Sequence, residues 1–115
     1  MSFIFKKKQE YTNRKQFVLS DSSPFAVKEA FRNLKASLSV SLPKKDNGEG
    51  IAILLTSASP EDGKTTVAVN LALTIAESNL KVLLIDADVR KGRVARFFDV
   101  KSTPGLTDYL SGQAT

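Results

Sequence analysis

Two short clusters in the middle of the chain carry the side chains and spacing that phosphate chemistry requires. The first is Ala58-Ser59-Pro60-Glu61-Asp62-Gly63-Lys64-Thr65-Thr66. It follows the phosphate-loop pattern G-x-x-x-x-G-K-[ST], with alanine in the first glycine position. In such a loop, successive amide N–H groups and a helix N-terminus point at an anion. Lys64 would set its ammonium on the β and γ phosphates of a nucleotide, the Thr65 hydroxyl would join a Mg²⁺ shell, and Thr66 would reach the α phosphate. The second cluster, Asp86-Ala87-Asp88-Val89-Arg90, places two carboxylates at i and i+2, on one side of an extended chain. Beside a lysine-bound triphosphate, such a pair holds Mg²⁺ directly or through water, or accepts a proton from an attacking hydroxyl. The chain has no histidine and no cysteine. This excludes Cys/His zinc sites and histidine-dependent nucleophile systems, and leaves Asp86 as the candidate base. Glu61 stands where a small residue would let phosphate approach the backbone. With Asp62 it sets two carboxylates beside a polyanion, which predicts weakened nucleotide binding.

The flanking residues supply the elements that would position these groups. Ile51-Ala-Ile-Leu-Leu-Thr56 is an apolar run bounded by turn signals, as expected of a parallel strand buried on both faces. Lys64 to about Ser78 reads as a helix apolar around most of its circumference, with Asn79 as its stop. Val82-Leu-Leu-Ile85 is a second buried strand that ends at Asp86. Strand, helix and strand in that order predict a right-handed βαβ unit with parallel strands. Strand C-termini in such sheets face the ligand crevice, so both clusters fall on the functional edge.

Further out, Ser23-Pro24 opens a predicted amphipathic helix with Val27, Ala30, Phe31, Leu34 and Leu38 on one face, ending before Pro43. Arg93 to Phe98 and Leu106 to Leu110 are expected as short helices, separated by a turn at Thr103-Pro104-Gly105. Residues 1–20, with Lys6, Lys7, Lys8, Arg14 and Lys15, are expected to be a flexible basic tail. Residues 21–115 are expected to form an incomplete P-loop domain.

At 115 residues, one domain at most fits,. Seventeen basic against twelve acidic residues give a net charge of +5, which favours anionic partners without selecting among them. The composition, 42% apolar and 25% charged, is that of a globular protein, and the lack of cysteine fits a reducing compartment. The short apolar opening precedes its lysines, unlike a secretory signal, and the longest nearly apolar stretch, Val67–Ala76, is too short to cross a bilayer,. A cytoplasmic location is expected.

Three phrases in the chain resemble the bacterial tyrosine kinases of capsular and exopolysaccharide biosynthesis, the BY-kinases. They are Leu55-Thr-Ser-Ala-Ser-Pro-Glu-Asp-Gly-Lys-Thr-Thr66, Val82-Leu-Leu-Ile-Asp-Ala-Asp-Val-Arg90 and Pro104-Gly-Leu-Thr-Asp-Tyr-Leu-Ser-Gly112. Within the first helix, Glu29, Arg32 and Lys35 are close to the family's E-x-x-R-x-x-R oligomerisation motif, with lysine in the last place. The resemblance implies an α/β fold with a P-loop NTPase-type parallel sheet and flanking helices, present here as its N-terminal part. It implies ATP and Mg²⁺ as cofactors, and an autophosphorylating protein-tyrosine kinase that regulates polysaccharide synthesis. By position, Lys64, Asp86 and Asp88 inherit catalytic roles, Thr65, Asp86 and Asp88 the Mg²⁺ site, and Ala58 to Thr66 the nucleotide site. Expected partners are further copies of the chain through the first helix, a membrane-bound polysaccharide co-polymerase that recruits it to the inner membrane face, and tyrosine-bearing substrates. Two positions depart from the family: Glu61 replaces a glycine, and Gly92 stands where proline is common. No third-strand Walker B aspartate and no tyrosine cluster is present, since the tyrosines are Tyr11 and Tyr109. The 115-residue chain by itself is therefore expected to be inactive,.

Two other readings compete. Plasmid-partition and septum-site ATPases share the loop but carry an additional lysine near its start, where this chain has Ala58-Ser59-Pro60. A non-catalytic nucleotide-binding or assembly module would bind without turnover. Nucleic-acid binding is not expected, because the basic tail has neither interleaved aromatics nor a helix-turn-helix pattern.

Overall fold

A computed structural model describes residues 2–4, 17–45 and 47–115. Its elements are β1 (Ser2–Ile4), α1 (Phe25–Ser41), α2 (Lys64–Ala76), β2 (Leu83–Ile85), α3 (Val94–Phe97) and α4 (Leu106–Leu110).

The helices lie where the apolar periodicity and breakers put them. Pro24 is itself the residue before α1, with φ −54° and ψ 139°, and its carbonyl accepts from the amides of Val27 and Lys28. Ser23 does not cap the helix; its Oγ accepts from the Ser20 amide at 2.9 Å. The helix ends just before Pro43, whose ring cannot continue it. Its apolar stripe packs along α2, with Phe31 and Leu38 half-buried. Val27 and Leu34 on the same stripe remain largely exposed. α2 starts at Gly63, φ 86°, and the chain turns out of it through Asn79, whose φ of 60° is left-handed, as asparagine tolerates.

α2 is the central element of the core. Val69 is fully buried and packs with Val18, Val94, Phe97 and Phe98, with Leu73 and Leu84 against the cluster. Asn70, also buried, fixes the incoming chain on this helix. Its Oδ1 accepts from the Leu19 amide at 2.8 Å, and its Nδ2 donates to the Phe17 carbonyl at 2.7 Å. Asn70→Ala would leave both backbone groups without this partner in a part-buried place. The expected loss is about 1–3 kcal/mol of stability, checked by denaturant unfolding of the two forms. An unchanged midpoint would show that water replaces the amide without cost.

The sheet differs from expectation. β2 pairs with β1 in antiparallel register, Ser2 opposite Ile85 and Ile4 opposite Leu83, and this two-stranded ribbon is the whole sheet among the described residues. The run Ile51–Thr56 carries no ladder, so a parallel βαβ pair is not formed there. A strand exists only when its N–H and C=O groups find a neighbour. Among the described residues no strand pairs with this run, and Leu54 is 86% exposed. Ile51, Leu83 and Ile85 are exposed as well. Most of residues 1–20, expected as a flexible tail, lie outside the described residues, but Ser2–Ile4 is paired and Val18 belongs to the core. No helix among the described residues is long and apolar enough to cross a membrane.

Candidate functional site

The phosphate loop folds on its own side chains. The Ser57 hydroxyl donates to the Ser59 carbonyl at 3.0 Å, and Asp62 Oδ2 accepts from the Ser59 amide at 2.9 Å. Gly63 supplies the left-handed turn that delivers the chain into α2,. The first helical bond described here runs from the Val67 amide to the Gly63 carbonyl. The amides of Lys64, Thr65 and Thr66 thus lie in the first turn, where no helical carbonyl is available, and these are the donors that an anion uses. Lys64 is exposed, while Thr65 and Thr66 are half-buried.

Glu61 has a φ of 66°, a left-handed conformation to which glycine is better suited. A side chain there costs roughly 1–2 kcal/mol. Its carboxylate leans toward α3, where Oε1 accepts from Arg93 Nη1 at 3.5 Å in an exposed pair. Replacing Glu61 by glycine is expected to stabilise the fold by about 1 kcal/mol. It should also tighten Mg-ATP binding, more at low than at high ionic strength. Thermal unfolding and a titration across a salt series measure both. A loss of stability would show that the Arg93 contact outweighs the backbone strain, and a salt-independent affinity would show that Glu61 does not act on the phosphates.

The acidic pair sits where β2 runs out. Asp86 Oδ1 accepts from the Asp88 amide at 3.1 Å, and its Oδ2 accepts from the Val94 amide at 3.0 Å. A carboxylate at 86 therefore ties the end of the strand to the start of α3, a role that spacing alone does not reveal. Gly92 approaches it closely: a Cβ at 92 would lie 2.9 Å from Asp86 Oδ2 and 3.0 Å from the Asp88 carbonyl oxygen. Asp88 accepts from the amides of Lys91 at 2.9 Å and Arg90 at 3.2 Å, both on Oδ1. That leaves Oδ2 for a cation. The Lys91 amide holds the Asp88 carboxyl below the ordinary carboxylate value, with further help from the Arg90 amide and the charges of Lys64 and Arg90. Because the folded value is the lower one, the stabilisation is present above the ordinary carboxylate range and is lost as pH falls through the lowered value. At neutral pH Asp88 is ionised.

A cleft of about 260 Å³ opens beside this pair, bounded by Asp86, Asp88 and Gly92 on one side and by Ser102, Gly105 and Leu106 on the other. None of Ala58–Thr66 lines it. The Lys64 charge is one of the smaller causes that lower the Asp88 carboxyl, and Glu61 of the loop reaches Arg93, just beyond the acidic cluster. No group of three acidic, histidine or cysteine side chains able to hold a metal occurs among the described residues. Two carboxylates and a threonine fit Mg²⁺ that arrives with a nucleotide, since this ion keeps waters and phosphate oxygens and needs only one or two carboxylates.

On α1, Arg32 Nη1 meets Glu29 Oε1 at 2.7 Å across one helical turn, both exposed. Lys35 Nζ donates to Ser78 Oγ at the end of α2, so the third member of that row is occupied within the chain. No spacing rule in the sequence links Arg93 to Glu61, 32 positions earlier.

A family model described as the CobQ/CobB/MinD/ParA nucleotide binding domain matches residues 53–100, which contain both clusters. Across 111 residues the chain is 36% identical to the tyrosine-protein kinase etk of Escherichia coli strain K12, covering 96% of this chain and 15% of that protein. It is 33% identical over 105 residues to the tyrosine-protein kinase wzc of Salmonella typhimurium, with 91% and 14% covered. A Klebsiella pneumoniae protein, whose name places it among tyrosine-protein kinases in the cps region, is 38% identical over 102 residues, with 88% and 14% covered. No solved structure gives a significant match. The chain spans about one seventh of the length of these relatives. The loop, the lysine and both aspartates lie inside the matched stretch, so most of this chain is similar to one segment of these tyrosine-protein kinases, and its residues 53–100 match a nucleotide-binding domain family.

Proposed function

We propose that these residues are the phosphate- and Mg²⁺-binding segment of an ATP-dependent, autophosphorylating protein-tyrosine kinase that regulates capsular or exopolysaccharide synthesis. The observation that carries this reading is the loop's delivery into α2: Gly63 turns the chain in a left-handed conformation so that Lys64 and the free first-turn amides stand together at the helix start, as an anion site requires,. Lys64 and the first-turn amides of α2 would hold the β and γ phosphates, and the Thr65 hydroxyl and Asp88 Oδ2 would hold Mg²⁺. Bound Mg²⁺ would neutralise charge on the phosphoryl group in flight. Each Asp86 oxygen is pinned by one backbone donor and keeps a second lone pair, so the carboxylate is positioned to accept the tyrosine hydroxyl proton.

The remainder of the active centre, a third carboxylate and the strands of a parallel sheet that cover Ile51–Thr56, would come from the complete kinase polypeptide. Glu29, Arg32 and Lys35 would contribute to contacts between copies, with Lys35 exchanging its Ser78 bond for a partner, and a membrane-bound co-polymerase would bring the kinase to the membrane face. The test is phosphoamino-acid analysis after the complete polypeptide is incubated with Mg-ATP labelled on the γ phosphate. Label on tyrosine is expected. Nucleotide binding without labelled tyrosine would favour an assembly module, and label lost as free phosphate an ATPase.

A further inference from the structure

A second depression, about 370 Å³, lies beside the acidic cleft and is lined by Arg90, Lys91, Gly92, Arg93 and Arg96. Four cations converge there, and of these four only Arg93 makes an ion pair within 4 Å among the described residues, with the exposed Glu61 at 3.5 Å, while the Arg90 charge also acts on Asp88. The surface is built rather than incidental. Val94, Ala95, Phe97 and Phe98 are buried, which fixes α3 and turns Arg93 and Arg96, one helical turn apart, outward. The backbone of Arg90 and Lys91 is held by Asp88 Oδ1, so the other wall is anchored too. Gly92 belongs to both depressions. A chain lying in the basic one therefore runs past Gly92 directly to Asp86 and Asp88.

We infer that this basic groove docks acidic residues flanking the acceptor tyrosine, and so selects tyrosines embedded in acidic sequence; the inference rests on the kinase reading above. The nucleotide is a poorer occupant. Its phosphates have Lys64 and the α2 amides, and neither these nor any other residue of Ala58–Thr66 lines the groove. Charge complementarity along a peptide gives selectivity and salt-dependent capture more than raw affinity.

The experiment uses the complete polypeptide, a tyrosine peptide flanked by glutamates, and matched peptides flanked by serines or by lysines. Peptide binding is read by fluorescence anisotropy without nucleotide, and phosphorylation is read separately as KM for peptide and for ATP. In the variant Lys91→Glu with Arg96→Glu, KM and Kd for the glutamate peptide are expected to rise roughly tenfold at low salt. The serine peptide should change little, the lysine peptide should bind better than it does to the unaltered protein, and KM for ATP should hold. That gain on the lysine peptide cannot come from a misfolded variant. Equal losses on all three peptides, or a raised KM for ATP with peptide KM unchanged, would overturn the inference. Charge-selective binding with no phosphorylation of any peptide would leave the groove standing and sink the kinase reading. Phosphorylation indifferent to flanking charge would do the reverse.

Discussion

Lys64→Met is expected to remove measurable Mg-ATP binding. The ammonium is the single cation in the loop Ala58–Thr66, and the first-turn amides of α2 that share its ligand are neutral donors. A charge-assisted contact to phosphate contributes about 1.5–3 kcal/mol, so its loss weakens affinity by roughly tenfold to over a hundredfold. Methionine keeps the length and apolar stem of the side chain, and Lys64 is exposed and makes no ion pair among the described residues. The fold should therefore be unaffected, which a matched unfolding curve verifies. Calorimetric titration of both forms measures the effect; equal affinities would mean that the nucleotide binds elsewhere.

The second large effect concerns chemistry. On the proposed kinase function, Asp86→Asn in the complete polypeptide is expected to lower tyrosine phosphorylation by about 10²-fold or more, the range for removal of a general base, while Mg-ATP affinity changes only a few-fold. An interaction made mainly in the transition state leaves ground-state binding almost untouched. The structure adds a condition. Asp86 accepts from two amides, those of Asp88 and Val94, and asparagine keeps only one acceptor oxygen. A modest loss of stability, about 1–3 kcal/mol, should accompany the substitution. Parallel losses in turnover and affinity would instead make Asp86 chiefly a Mg²⁺ ligand.

Much of this site is legible in the sequence because its signals are local. The loop spacing, the glycine at 63 and the carboxylates at i and i+2 each act over a few residues, and the structure puts Gly63 in the left-handed turn at the head of α2. The four helices follow from periodicity and from prolines and glycines for the same reason. Long-range pairing is not written locally. Nothing in Ile51–Thr56 or Val82–Ile85 states which strand lies beside it, and the antiparallel partner Ser2–Ile4 comes from a segment read as a tail. Asn70 reads as a polar interruption in an apolar helix, yet it binds the backbone at Phe17 and Leu19, more than fifty positions away. The bond from Asp86 to the Val94 amide and the basic groove at Arg90–Arg96 likewise emerge only when the chain turns back at Gly92.

The proposed function requires residues 58–66 and the Asp86–Asp88 pair to form one Mg-nucleotide site. Amide hydrogen exchange with and without Mg-ATP tests it directly. Exchange is expected to slow in two separate stretches, the loop and first turn of α2 at 58–67 and the turn at 86–94, with protection of the second stretch lost when Mg²⁺ is withheld. Protection confined to 58–67, or equal with and without Mg²⁺, would contradict a shared site.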